Sequence, residues 1–97
     1  MPERAPGIET QKIGRTLSDY LPPYAVVLHN DEVNSMEHVV VALLKSVPEL
    51  SAEKAFDVML EAHSKGRAVV VVCPLERAEL YRDRIRSFSL GCSIEKA

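Results

Sequence analysis

Ninety-seven residues, 46% of them hydrophobic, with a formal net charge of -2, describe one globular domain with no basic face for nucleic acid. No apolar run approaches the ~18 residues needed to cross a bilayer, and Met1 to Gly14 lacks the apolar core of a signal peptide. Cys73 and Cys92 form no C-x-x-C pair, which suits two buried thiols in a reducing cytoplasm better than a disulfide framework.

Residues 1–22 are marked by proline and glycine, aperiodic and charge-balanced, with Glu3, Glu9 and Asp19 against Arg4, Lys12 and Arg15. They read as a flexible tail with a nascent turn at Thr16 to Tyr20, and residues 23–97 as the folded domain. Tyr24 to His29 has the β-branched and aromatic content of a strand, and Asn30-Asp31-Glu32-Val33 is the loop after it. Asn34 is the expected helix N-cap, with Glu37 completing a capping-box-like pair. Met36, Val39, Val40, Leu43, Leu44 and Val47 form one apolar stripe before Pro48 stops the helix.

Ser51 opens a second helix and Gly66 stands where a C′ glycine belongs. Its expected stripe is Ala52, Phe56, Met59 and His63, flanked by Ala55 and Leu60. The continuous apolar run Ala68 to Cys73 reads as the central strand. Pro74 suits the first turn of a third helix, with stripe Ala78, Tyr81, Ile85 and Phe88. Cys92 to Glu95 alternates as a last strand. The order β-α-α-β-α-β predicts a two-layer α+β fold, three helices packed on one face of a three-stranded antiparallel sheet.

The parts for catalysis are missing. No G-x-G-x-x-G, P-loop, G-x-S-x-G or H-E-x-x-H occurs. His29, His38 and His63 fall on different elements at no metal-ligand spacing, and the adjacent acids Asp31 and Glu32 do not face each other as a glycosidase pair would. No enzyme, metal or cofactor is expected. Asn30-Asp31-Glu32 remains, between a strand and a helix, where Asn and Asp also serve simply as turn residues. Met59 and His63 share one helix face, and an apolar stripe with one histidine is commonly core. If the first two helices pack together, Met36, Met59 and His63 converge beside that loop.

The stretch Leu28-His29-Asn30-Asp31-Glu32-Val33-Asn34-Ser35-Met36-Glu37-His38-Val39, then Met59-Leu60-Glu61-Ala62-His63 with Gly66-Arg67-Ala68, and the closing Ile94-Glu95-Lys96-Ala97, resemble ClpS. That family comprises adaptors that bring N-degron proteins to Clp proteases, and the resemblance covers residues 23–97. It implies that Asn30, Asp31 and His63 hold a substrate's free α-amino group. It further implies a pocket for the first, bulky hydrophobic side chain made by Met36, Val39, Met59 and Leu90, with Asn34 at its rim. Glu76 would face an AAA+ unfoldase of the ClpA or ClpC type, and residues 1–22 would take part in delivery. Two departures stand out. The family's common Thr-Pro before the methionine is Asn34-Ser35 here, a form closer to cyanobacterial and plastid members, and Tyr81 replaces a lysine of the family's third helix. The competing expectations are a ribosomal-stalk-like interaction domain, which needs neither Asn30-Asp31 nor His63, and a small metal-dependent enzyme.

Overall fold

The computed structural model describes residues 21–97, so the tail reading of residues 1–22, with its turn at Thr16 to Tyr20, falls almost wholly outside it. The elements are β1 (Pro23–His29), α1 (Met36–Ser46), α2 (Ala52–Lys65), β2 (Arg67–Pro74), α3 (Leu75–Arg86) and β3 (Cys92–Lys96). The strands make one antiparallel sheet in the order β2-β1-β3. One apolar core joins Val26 and Leu28 of β1 to Val39 and Leu43 of α1, Ala55, Val58 and Met59 of α2, and Ala78 and Ile85 of α3. This is the expected α+β fold of three helices and a three-stranded antiparallel sheet.

The central strand is not the one expected. β1 lies in the middle, with Ala25, Val26, Val27 and Leu28 all at most 5% exposed, while the apolar run of β2 lies at an edge. Continuous apolarity does not distinguish burial on two faces from burial on one. In β2 the inward residues are Ala68, Val70 and Cys73, while Val69 and Val72 stay 42% and 51% exposed. The step from Val70 to Cys73 breaks strict alternation because a bulge intervenes: Val26 pairs with Val71, but Val27 with Val69.

Two local expectations also shift. Ser35, not Asn34, caps α1, its Oγ accepting from the His38 backbone N–H at 3.1 Å. The Asn34 side chain is committed elsewhere, and the hydroxyl one residue later satisfies the free helical donor instead. In α2 the buried stripe is Ala55, Val58, Met59 and Ala62, whereas Ala52, Phe56, Leu60 and His63 are exposed. Alanines let the helix approach its neighbours closely, so the inward face is centred on small side chains and the larger Phe56 is left outside. In α3, Ala78, Tyr81 and Ile85 are buried as read, whereas Phe88, the last residue of the expected stripe, lies beyond the helix end and is half-buried, and Pro74 sits at the N-cap, one position before the first turn.

Candidate functional site

The loop after β1 is held by its backbone. The His29 N–H donates to the Gly91 carbonyl at 3.0 Å, and the Asn30 N–H to the Gly66 carbonyl at 2.9 Å. Gly66 ends α2 in the left-handed region at φ 92, its own N–H donating to the Ala62 carbonyl. A glycine adopts that conformation without the Cβ penalty other residues meet. The helix end therefore turns back under the loop and brings His63 beside Asn30 and Asp31.

Asp31 is fixed by its own neighbours. Its Oδ1 accepts from the backbone N–H groups of Val33 (2.7 Å) and Asn34 (3.0 Å), and its Oδ2 from Asn34 Nδ2 (2.5 Å). The Asn34 side chain, then the two backbone donors, hold its carboxyl below the ordinary value of 3.8. Asn30 donates its amide to Glu32 Oε2 at 2.5 Å, which leaves the Asn30 side-chain carbonyl as an acceptor.

These groups border a cavity of about 270 Å³. Leu28, Val39, Met59 and Ala62, each at most 6% exposed, form its apolar depth. Asn30, Asp31, Glu32, Asn34, Ser35 and His63 supply polar atoms, and Met36, half exposed, stands at the rim. The volume is below the ~300–1,000 Å³ of drug-sized pockets and suits a single side chain. The arrangement can pair a cation with a carboxylate and two further acceptors while an adjoining apolar group leaves water.

Asn30, Asp31, Asn34, Met36, Val39, Met59 and His63 thus meet around one cavity. Leu90 does not line it: it is 4% exposed and packs in the core. Glu76 is exposed on the first turn of α3, apart from the cavity. Leu28 and Ala62 escaped the sequence reading, although Leu28 is the last inward residue of β1 and Ala62 lies three residues beyond Met59. Of the other histidines, His29 also lines the cavity and its ring is paired with Ser93 Oγ (2.7 Å), while His38 lies outside the lining and pairs with the Phe88 carbonyl (2.7 Å). Among the described residues no three His, Cys, Asp or Glu side chains converge to hold a metal, and no helix is long and apolar enough to cross a membrane.

Tyr81 is 5% exposed and donates to Glu49 Oε1 at 2.6 Å. Burial first, and then the Glu49 carboxylate, push its phenol up to about 12. Both cysteines are free and buried, and desolvation raises the Cys92 thiol to about 11 and the Cys73 thiol above its ordinary value.

Residues 19–93 match the family described as ATP-dependent Clp protease adaptor protein ClpS. The chain is 46% identical over 86 residues to the ATP-dependent Clp protease adapter protein ClpS of Prochlorococcus marinus, covering 89% of this chain and 82% of that one. The chloroplastic adapter of Arabidopsis thaliana is 40% identical over 90 residues, 93% of this chain and 57% of its own. Among solved structures, Agrobacterium tumefaciens ClpS2 bound to L-phenylalaninamide superposes with a TM-score of 0.72 at 32% identity, over 78% of this chain and 98% of that one.

Proposed function

The chain belongs to the ClpS family, and we propose that its cavity takes the first residue of N-degron substrates by both the free α-amino group and the side chain. It is an adaptor of the Clp protease system, not an enzyme. The observation that carries the site assignment is the border of the cavity: Asn30, Asp31 and His63 beside an apolar depth of Leu28, Val39, Met59 and Ala62. The ligand of the Agrobacterium relative has the matching chemistry, an unblocked amine next to an aromatic side chain.

An α-amino group has an ordinary pKa of about 7.7–8.0 and is mostly a cation at neutral pH. A carboxylate ~4 Å away contributes roughly 4 kcal/mol before desolvation at an effective dielectric near 20. Asp31 supplies that charge, while the Asn30 carbonyl and a His63 ring nitrogen accept the remaining N–H groups. Each methylene that the substrate side chain buries adds about 0.8 kcal/mol. Bulky hydrophobic first residues are therefore favoured, with Met36 closing the rim.

On this reading the partner is an AAA+ unfoldase of the ClpC or ClpA type met through the face bearing Glu76, and residues 1–22 serve delivery. The similarity to cyanobacterial and chloroplastic adapters favours the ClpC type. Two free, buried thiols fit a reducing cytoplasm. Calorimetric titration with Phe- and Leu-starting peptides, free and N-acetylated, is the test. Binding that survives acetylation would overturn the assignment.

A further inference from the structure

Asn34 makes more hydrogen bonds than a residue at a pocket rim requires. Its Nδ2 donates to Asp31 Oδ2 at 2.5 Å and to the Ser89 carbonyl at 3.1 Å, while its backbone N–H donates to Asp31 Oδ1. The two side-chain bonds join segments far apart in sequence, the loop before α1 and the turn after α3. We propose that Asn34 is a positioning residue that clamps the Asp31 carboxylate to the Ser89 turn, so that the amine-binding charge is aimed before any substrate arrives. The proposal rests on the reading of Asp31 as the amine anchor.

The turn is a firm support. Ser89 has φ 66, the left-handed region a side chain adopts at a cost. It is held on both sides, by His38 Nε2 on the Phe88 carbonyl and by the His29 N–H on the Gly91 carbonyl. The His38 and Phe88 rings also meet edge to face, 6.2 Å between centroids. A carboxylate and a carbonyl both only accept, so the group between them must offer two donors within a short reach. Asparagine does so. Threonine and serine have one O–H, aspartate has none, and glutamine is a methylene longer. The clamp also explains why the cap of α1 falls to Ser35: the Asn34 side chain is turned toward Asp31. A carboxylate held in this way keeps one lone-pair site, on Oδ2, for a ligand and loses little freedom on binding it, which is the advantage of preorganisation.

The experiment compares the full chain with Asn34→Ala, Asn34→Thr and Asn34→Asp, using Phe- and Leu-starting peptides in calorimetry. In the free proteins, carbon NMR follows the Asp31 carboxyl titration. The charged and titratable groups around that carboxyl are His38 on α1, and His29 on β1, Glu32 on its own loop and His63 on α2, which line the same cavity, and all are retained in each variant. Asn34→Ala is expected to weaken both peptides by roughly tenfold while leaving their Phe/Leu ratio unchanged, because the lost element serves the amine common to both. Its Asp31 should titrate at higher pH than in the wild type. Asn34→Thr should lie between, and Asn34→Asp, with no donor and a like charge, should be weakest. A changed Phe/Leu ratio with an unmoved Asp31 titration would make Asn34 a rim contact only and overturn the proposal. Full affinity in Asn34→Thr would overturn the Ser89 arm of the clamp. Should the wild type fail to distinguish free from acetylated peptides, the amine-binding reading falls, whereas the Asp31 titration still tests the clamp.

Discussion

Asp31 accepts three hydrogen bonds from within its own loop, so its charge is set before a ligand arrives. Asp31→Ala should cost roughly 2–5 kcal/mol in affinity for a Leu-starting peptide, because the bound ammonium loses its charged partner. Unchanged affinity in calorimetry would remove Asp31 from the site. The pH dependence follows from the same group. Its folded-state value is depressed, so its contributions to stability and binding are fully present above the ordinary value of 3.8 and fade as pH falls through the lower folded value. Affinity should accordingly hold through mild acid as far as Asp31 is concerned, and decline above pH ~8 as the substrate amine discharges. Titrations from pH 5 to 9 check this. On the proposed reading Met36 acts on the other half of the ligand. Standing half exposed at the rim, it should exclude β-branched first residues, and Met36→Ala should admit Val or Ile while Leu and Phe lose contact. If the ranking of first residues is the same in both proteins, Met36 has no part in selection.

Helix ends, more than helix faces, build the site. Gly66 closes α2 in the left-handed region and offers its carbonyl to Asn30. A Cβ there would meet nothing within 4 Å, so Gly66→Ala would carry only the backbone penalty. That penalty is about 1–2 kcal/mol, and it should appear as a lowered urea midpoint together with weaker peptide binding, since the loop rests on that turn. An unchanged midpoint would show that the turn relaxes freely. At α3, Tyr81 is a buried residue bonded to Glu49. Tyr81→Phe should destabilise the fold by roughly 1 kcal/mol at neutral pH and leave peptide affinity unchanged. The phenol is raised from 10.0 to about 12. Its hydrogen-bond contribution is therefore present below pH 10 and lost as pH rises through 12, a basic limb that Tyr81→Phe should lack in unfolding measurements. A loss of peptide affinity instead would link this face to the cavity.

At the scale of the whole molecule, the proposed binding and delivery are expected to be separable. The cavity is built from residues 28–63, so deleting residues 1–22 should change peptide affinity by no more than a few tenths of a kcal/mol. Degradation of an N-degron reporter by the partner protease should drop sharply. Full degradation by the truncated protein would make the segment a passive leader. Much of the local fold is legible from residue order. The caps and breaks at Ser51, Gly66 and Pro48 and the apolar stripes of α1 and α3 act within a few residues of chain, where local chemistry decides. That the Asn30-Asp31 loop and His63 meet at one cavity is legible too, though through resemblance to a family, since as isolated residues they fit an ordinary turn and a core histidine. Long-range choices were not legible. Whether β1 or β2 lies at the centre depends on which strand β3 joins, and an apolar run such as Ala68 to Cys73 fits either place. Small differences in packing against the neighbouring elements set the rotation of α2, so Phe56 could be read as core and found outside. The bond from Asn34 to Ser89 spans 55 residues, and no spacing rule reaches that far. Local propensity is written in neighbouring residues, whereas the sheet order, the helix rotation and the clamp exist only once distant segments compete for the same partners.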